Sequence, residues 1–161
     1  MVIAVISDTH LPRGQRRIPD ACLERLASAD LILHAGDFTT PEVLRELEAI
    51  RPVAGVTGNV DTHTLRRLLP EVRVVEADGA RIAMVHDAGP AAGRLRRMRR
   101  RFPDADAVVF GHSHIPLHEE RDAFQLFNPG SPTDRRRQPH HTMGIARVLR
   151  GRIEFELVHL D

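Results

Sequence analysis

The sequence has no lysine, no tryptophan, no tyrosine and a single cysteine. Arginine supplies all 23 basic residues and 22 residues are acidic, so the formal net charge of +1 indicates neither nucleic acid nor a membrane surface as a partner. The lone Cys22 excludes an internal disulfide and suits a reducing compartment. No apolar run approaches the length of a membrane helix, and the first apolar run is too short for the hydrophobic segment of a signal peptide. We therefore expect a cytoplasmic protein.

Length and composition are those of an ordinary globular domain. The chain has 161 residues, of which 42% are hydrophobic and 28% are charged. This length allows a sizeable core without covalent cross-links. The 11 glycines and 11 prolines are scattered between the apolar segments and form no low-complexity segment. We expect one domain over residues 1–161.

Apolar periodicity divides the chain into two parts. In the first part strands alternate with helices, and Thr40-Pro41 supplies an N-cap and a first-turn proline for the second helix. In the second part strands dominate, and Ala77-Asp78-Gly79 indicates a hairpin turn. Strands are predicted at residues 1–6, 31–33, 52–56, 72–76, 81–85, 107–110, 117–121 and 124–127, with a final pair joined around Arg150-Gly151. Helices are predicted at 20–29, 41–50 and 91–102, with a short one that is capped by Asp61 or Thr62 and stops at Leu69-Pro70. The pattern predicts an α/β (α+β) fold, in which a βαβα-like first half and a mostly antiparallel second half form two packed sheets with helices outside.

Polar side chains that can bind a metal follow five of the predicted strands. Binding sites in open α/β sheets form beyond the carboxyl ends of the strands, so these segments are expected to meet in one crevice. The candidates are Asp8, His10, Asp37, Asn59, His86, His112 and His114. Each of them alone is explained equally well by a turn, a helix cap or a hydrogen-bonded core histidine. Their repetition at five strand ends favours a shared site, and the pair in Gly111-His112-Ser113-His114 makes a metal the first hypothesis.

Five short motifs occur in an order that is similar to that of a known family. They are Asp8-x-His10, Gly36-Asp37, Gly58-Asn59-x-Asp61, His86 and Gly111-His112-x-His114. This series resembles the motifs of the calcineurin-like metallophosphoesterases, and its length and order are similar to their small bacterial and archaeal phosphodiesterase branch. The segment Asn128-Pro129-Gly130-Ser131 also resembles a loop of that branch. The resemblance implies a two-sheet β-sandwich flanked by helices, with two metal ions at the strand ends.

The resemblance also implies a ligand set for each metal ion. One ion would take Asp8, His10, Asp37 and His114. The other would take Asp37, Asn59, His86 and His112, with Asp37 bridging the two. Seven ligands with one shared suit two ions about 3.5–4 Å apart, and four imidazoles with an amide oxygen favour transition metals over magnesium or calcium. We expect two divalent transition metal ions, manganese first, with nickel, iron or zinc as alternatives.

The charge balance of such a centre indicates its substrate. Two divalent ions bring four positive charges and the carboxylates of Asp8 and Asp37 return two, so the surplus holds a bridging hydroxide and attracts an anionic phosphoryl group. We therefore predict a metal-dependent phosphodiesterase that acts on a small phosphate ester. Asp37, Asn59 and His112 are expected to take part in catalysis, and no residue is assigned to substrate binding. Two alternatives stay open: a phosphomonoesterase with the same site, and a non-catalytic interaction scaffold resembling the retromer's phosphoesterase-like subunit.

Two positions depart from the family's pattern. Val60 stands where much of the family has a histidine thought to protonate the leaving group, and general acid catalysis is typically worth about 10²–10⁴-fold. The rate on poor leaving groups is therefore expected to be low. Without that histidine to orient, Asp61 is expected to cap a helix. Asp87 stands where the family usually has glycine, and it either crowds the metal, orients His86 or faces solvent.

The remaining basic residues receive no catalytic role. His34 is interpreted as structural because it lies on the strand side of Gly36. No spacing argument supports the other five histidines, which are His63, His118, His140, His141 and His159. The arginine-rich helix 91–102 is interpreted as a solvated face, so nucleic acid is not expected as a partner, whereas a homo-oligomer stays open. The segment Arg135-Arg136-Arg137 follows the Asn128–Ser131 loop and could reach an outer phosphate of the substrate.

Overall fold

Ten strands and four helices form in the computed structural model, which describes all residues from 1 to 161. The strands are β1 (Val2–Ile6), β2 (Leu31–His34), β3 (Val53–Gly55), β4 (Val72–Ala77), β5 (Ala80–Val85), β6 (Ala107–Val109), β7 (Leu117–Arg121), β8 (Phe124–Asn128), β9 (Thr142–Leu149) and β10 (Arg152–His159). The helices are α1 (Asp20–Ser28), α2 (Pro41–Glu48), α3 (His63–Leu68) and α4 (Arg94–Arg101). Every predicted element is present, with its ends shifted by a few residues.

The strands form two mixed sheets of five. The first has the order β10-β9-β1-β2-β3, in which β1, β2 and β3 are parallel and β9 is antiparallel to β1. The second has the order β4-β5-β6-β8-β7, with β5, β6 and β8 parallel to one another. The prediction of two packed sheets with helices outside is confirmed. The prediction of a mostly antiparallel second half is wrong for the centre of this sheet, because α4 carries the chain across from β5 to β6 and a crossover of this kind joins parallel strands.

Strand β1 explains why the first sheet is buried on both faces. Ile3 and Val5 pack between the two sheets, against side chains of the second sheet such as Met84. Ala4 and Ile6 point the other way and pack against α1 and α2. Successive side chains of a strand point to opposite faces, so a continuous apolar run needs a partner layer on each side. The run at the start of the chain meets this requirement.

Helix α4 covers the outer face of the second sheet. Met98 is buried there with Phe110, and Leu95 packs at the same surface. The helix begins later than predicted because Gly93 has a φ of 69°, a left-handed conformation that interrupts the helix at its N-cap. Its exposed arginines are consistent with the predicted solvated face.

Two features complete the description of the fold. The hairpin between β4 and β5 turns at Asp78-Gly79, with φ angles of 43° and 83°, so each strand is one residue longer than predicted. None of the four helices has the length and apolar content that crossing a bilayer requires. Strands β1, β2, β3, β5 and β6 each end at the same rim of the molecule, where the candidate residues follow.

Candidate metal centre

The structure brings all seven candidate residues to this rim, and two groups of donor atoms form there. The first consists of Asp8, His10 and His114. In it, Asp8 Oδ1 lies 3.4 Å from His114 Nε2 and 3.7 Å from His10 Nε2. Two ligands bound to one ion at about 2.1 Å are themselves about 3.0–3.4 Å apart. The spacing within this group is therefore close to that of residues sharing one ion.

The second group surrounds His86. Its Nε2 lies 3.2 Å from Asp37 Oδ2 and 3.0 Å from Asn59 Oδ1. Asn59 Oδ1 in turn lies 3.1 Å from His112 Nδ1. The amide oxygen of Asn59 therefore lies within hydrogen-bond distance of both imidazoles, beside the cluster that His86 forms with Asp8 and Asp37.

Asp37 joins the two groups. Its Oδ2 lies 3.4 Å from His10 Nε2 and 3.2 Å from His86 Nε2. Asp8 Oδ1 also faces His86, at 3.9 Å, but it is nearer to His114. A single carboxylate oxygen of Asp37 therefore lies within 3.4 Å of one imidazole nitrogen from each group.

Three of these donor atoms are buried and have no hydrogen-bond partner. They are Asp8 Oδ1, His10 Nε2 and His114 Nε2. A buried polar atom without a partner costs about 1–3 kcal/mol, and three such atoms converge on one point here. Imidazole nitrogens and carboxylate oxygens are also the donors that divalent transition metals prefer. The residues present therefore fit a metal ion.

Hydrogen bonds orient the donors so that one atom of each faces the centre. Asp8 Oδ2 accepts bonds from the Ser7 hydroxyl at 2.7 Å and from the His112 backbone N–H at 3.1 Å, which leaves Oδ1 for a metal. His86 Nδ1 donates to the carbonyl of Ala35 at 2.8 Å, and His114 Nδ1 donates to the carbonyl of Asp134. A carbonyl acceptor on one ring nitrogen keeps the lone pair on the other, which is the form that binds metal.

The backbone at the centre is strained. Five candidate ligands have left-handed φ angles: Asp8 57°, His10 46°, Asp37 61°, His112 70° and His114 60°. Non-glycine residues adopt this conformation rarely, although aspartate and histidine tolerate it better than most, and such strain clusters at functional sites. The sharp turns after β1, β2 and β6 aim these side chains at one point.

Two motif glycines are required by close approach. A Cβ on Gly111 would lie 2.0 Å from Ser7 Oγ and 2.7 Å from Asp8 Oδ2. A Cβ on Gly58 would lie 2.0 Å from Asp37 Oδ1. Any side chain at either position would displace a carboxylate of the centre.

The expected role of Asp61 as a helix cap is wrong. Thr62 is the N-cap of α3, and its side chain accepts a bond from Leu65 N–H. The buried carboxylate of Asp61 instead accepts three backbone N–H bonds, from Gly58 at 2.7 Å, Thr39 at 2.8 Å and Asp37 at 3.1 Å. Asp61 therefore ties the loop after β3 to the loop that carries Asp37.

The loop after β8 holds the Asp8 loop, and sequence reasoning assigned it no role. Ser131 Oγ donates to the Asp8 carbonyl at 2.8 Å, and Thr133 Oγ1 donates to the Thr9 carbonyl at 2.6 Å. Asn128 Nδ2 donates to the carbonyl of Gly111 at 3.1 Å. The resemblance of Asn128–Ser131 to a family loop was the signal that could have indicated this contact.

The two departures from the family pattern lie at the open side of the centre. Val60 is 43% exposed, and its backbone N–H donates to Asp37 Oδ1 at 3.0 Å. The Asp87 side chain is 59% exposed, and its Oδ2 lies 3.9 Å from His112 Nε2. Of the three interpretations of Asp87, the structure supports the solvent-facing one, since His86 is oriented by a backbone carbonyl instead.

The histidines outside the candidate set belong to neither group of donor atoms. His34 is fully buried, contacts Thr9 Oγ1 at 3.0 Å and stacks on Phe38, in agreement with a structural role. His118 contacts Gln125, and His141 contacts the Asp161 carboxylate at 2.8 Å. His140 stacks on His159, and His63 begins α3.

Charge and burial shift the pKa values in the centre. Burial would raise the pKa of Asp37, but the hydrogen bond and charge of His86 hold it below its usual value. Burial would lower the pKa of His86, but the bond to Asp37 and the charge of Asp8 raise it. Burial lowers the pKa of His114. Asp37 is consequently an ionised acceptor near neutral pH.

Together these features define a class, the α/β proteins that carry a metal centre of carboxylates and imidazoles at the strand ends of two packed sheets. The profile of the calcineurin-like phosphoesterase superfamily domain matches residues 1–151, and the chain belongs to this family of phosphoester hydrolases. The family predicted from the motifs is therefore confirmed.

Individual relatives agree with this membership. A probable metallophosphoesterase of Methanothermobacter thermautotrophicus is 39% identical over 135 residues, which are 83% of this chain and 78% of that protein. A phosphodiesterase of Methanocaldococcus jannaschii is 24% identical over 144 residues, 81% of this chain and 83% of that protein. The structure of wild-type Vps29 of Entamoeba histolytica complexed with Zn²⁺ superposes with a TM-score of 0.77 at 23% identity, over 100% of both chains. At that identity the likeness to Vps29 shows the fold.

Proposed function

We propose that this chain, as one domain, is a phosphodiesterase that works with two divalent transition metal ions, manganese first. The observation that carries the proposal is the position of Asp37, whose Oδ2 lies within 3.4 Å of imidazole nitrogens on both sides. Three buried donor atoms without partners support it at the same place. The family membership supplies the reaction class, which is hydrolysis of a phosphate ester.

Distances favour a division of the ligands between the two ions. The deep ion is assigned to Asp8, His10, Asp37 and His114. The outer ion is assigned to Asp37, Asn59, His86 and His112. Asp8 is given to the deep ion because its Oδ1 is 3.4 Å from His114 and 3.9 Å from His86.

The two positions differ in their access to solvent. Asp8 and His114 are buried, whereas Asn59 is exposed and the His112 side chain is 47% exposed. A substrate therefore enters from the side of Asn59 and His112. This is the physical reason for assigning these two residues, with the bridging Asp37, to catalysis.

The residues of the chain prepare the centre for an anionic substrate. When bound, divalent ions of this kind supply hydroxide from water near neutral pH and neutralise charge on the phosphoryl group. Asp8 and Asp37 contribute only two negative charges, so the loaded centre keeps a positive surplus. Hydrogen bonds from Ser7 and Val60 hold these carboxylates in place, so little rearrangement is needed when substrate binds.

A preference for good leaving groups follows from Val60. Its side chain has no proton to give, and it lies at the open side of the centre. An aryl diester releases a phenolate that leaves without protonation, whereas an alkyl group leaves poorly unaided. The phosphodiesterase of M. jannaschii, a related protein, supports the diester over the monoester.

Substitution Val60→His tests both the activity and the missing proton donor. Rates are measured on a series of phosphodiesters with leaving groups of rising pKa, in the presence of Mn²⁺. We expect a steep dependence in the parent and a flatter one in the variant, with a gain of about 10²-fold on the poorest leaving groups. An equally flat dependence in both proteins would mean that another residue already supplies the proton.

A non-catalytic scaffold is the second candidate. Val60 and the Vps29-like fold favour it, since the chain lacks a proton donor where much of its family has one. Metal analysis of the same preparation separates the two functions. Two bound ions without turnover of any diester or monoester would establish the scaffold and reject the enzyme.

A further inference from the structure

Arg66 spans the loop that carries the candidate ligand Asn59. Its Nε donates to the Asp61 carbonyl at 3.0 Å, and its Nη2 donates to the Asn59 carbonyl at 2.8 Å. Helix α3 holds this side chain at a fixed position, because the neighbouring Leu65 is fully buried in the core. The guanidinium therefore ties two carbonyls of the loop between β3 and α3 to a helix that the core holds in place.

One peptide group links Arg66 to the carboxylate that joins the two groups of donors. The peptide between residues 59 and 60 accepts the bond from Arg66 with its carbonyl, and its N–H, from Val60, donates to Asp37 Oδ1 at 3.0 Å. This bond to Oδ1 leaves Asp37 Oδ2 facing the imidazoles of His10 and His86. Hydrogen bonds that follow one another in a chain polarise one another. Arg66 consequently favours the peptide orientation in which Asp37 Oδ2 stays free for a metal.

The donors and the acceptors of this loop are held by two different side chains. The Asp61 carboxylate accepts the N–H of Gly58 at 2.7 Å, whereas Arg66 binds carbonyls. The loop is thus fixed in the structure before an ion binds. Holding a ligand in its bound arrangement raises affinity, because less order is lost on binding. This matters most for Asn59, since a neutral amide lacks the charge that draws a carboxylate to a cation.

The charge of Arg66 is not neutralised by an acid. It forms no ion pair, although Glu71 and Asp87 line the same cavity of about 260 Å³, which Asn59 and His86 also line. A guanidinium beside divalent ions is unfavourable by charge alone, so the two carbonyls explain its place. Its third nitrogen, Nη1, makes no hydrogen bond within the chain. Direct contact with the substrate is therefore the alternative that an experiment has to separate.

We propose that Arg66 is a positioning residue for the outer metal ion and acts through the peptide between residues 59 and 60. This inference rests on the two-ion centre of the proposed phosphodiesterase. Loss of a contact that orients a metal ligand typically lowers metal affinity by about 10- to 100-fold. The deep ion keeps three ligands that Arg66 does not hold. The effect of Arg66 is therefore selective for the outer ion.

Titration of the metal-free protein with Co²⁺, without substrate, tests the proposal. Bound Co²⁺ absorbs visible light, so absorbance and calorimetry give the Kd values, and elemental analysis counts the ions. In Arg66→Met the Kd of the outer ion should rise by about 10- to 100-fold, while that of the deep ion changes less than about threefold. Asn59→Ala identifies the outer ion. Because both changes act on one ligand, the double variant should lose less than the product of the two single losses.

Two further variants control the measurement. Arg66→Lys keeps the charge but lacks the fork that reaches two carbonyls, so its loss should be intermediate and equally selective. If Arg66→Met fails to fold, Arg66→Lys carries the test. Arg51→Met is the matched control, because Arg51 also donates twice to a backbone carbonyl, that of Ala27 at 3.1 and 2.8 Å, just before β3 at the end of the strand away from the centre. It should bind both ions as the parent does.

The outcomes separate this inference from the proposed activity. Equal losses at both ions, or unchanged Kd values in the Arg66 variants, would overturn the inference and leave the two-ion centre intact. A raised KM at saturating metal with unchanged metal affinity would assign Arg66 to substrate binding instead. Fewer than two ions in the parent would reject the proposed centre and the inference with it. Selective loss of the outer ion without turnover of any ester would support the inference and reject the phosphodiesterase.

Discussion

Substitution Asp61→Ala removes a carboxylate that joins two loops of the metal centre. Asp61 accepts backbone N–H bonds from Gly58, Thr39 and Asp37, at 2.7, 2.8 and 3.1 Å. Alanine leaves these three donors without an acceptor. Each buried N–H without a partner costs about 1–3 kcal/mol. Because the bond to Thr39 is only partly buried and water can replace it there, we expect a loss of about 3–5 kcal/mol in the free energy of unfolding.

The loss is measured by urea unfolding of metal-free protein, with the slope against urea checked for constancy. Asp61→Asn keeps one oxygen for two of the three donors, so its loss should be intermediate. Asp30→Ala is the matched control, because Asp30 accepts a single exposed backbone bond, from Val2 at 2.7 Å. The control should lose less than about 1 kcal/mol. The reasoning is refuted if Asp61→Ala costs no more than Asp30→Ala.

Two further predictions concern the metal and acid stability. Chelation should abolish activity, and added Mn²⁺ should restore it. Asp37→Ala should lose both metal ions and nearly all activity, whereas the control His159→Ala should keep them. Retention of two ions by Asp37→Ala, measured by elemental analysis, would contradict the ligand assignment. Burial lowers the pKa of His34 to about 3, so below its unfolded value near 6.5 the unfolded chain binds one more proton than the folded chain. The stability from neutral His34 is therefore complete above about pH 6.5 and falls by about 1.4 kcal/mol for each unit of acidification towards pH 3. Unfolding free energies measured between pH 4 and 7 should depend less on pH in His34→Gln than in the parent. The exposed control His63→Gln should keep the parent's pH dependence. If His34→Gln keeps it as well, the pH dependence does not come from His34.

The sequence by itself determined the parts of this protein that depend on neighbouring residues. The continuous apolar run of β1 indicates a strand covered on both faces, because successive side chains of a strand point to opposite sides. The Asp78-Gly79 turn is equally local. The candidate ligands could be found because each directly follows a strand, and the carboxyl ends of parallel strands meet at one rim. The motif order then indicated the family.

Tertiary structure alone decided the features that join distant parts of the chain. Asp61 was assigned to a helix cap on local grounds, yet its carboxylate bonds backbone groups up to 24 residues away. Ser131 holds the carbonyl of Asp8 across 123 residues. The left-handed turns at Asp8 and His114 exist because such contacts hold loops that would relax alone. Local patterns specify where a strand ends, but which backbone group lies opposite a side chain depends on how the two sheets pack.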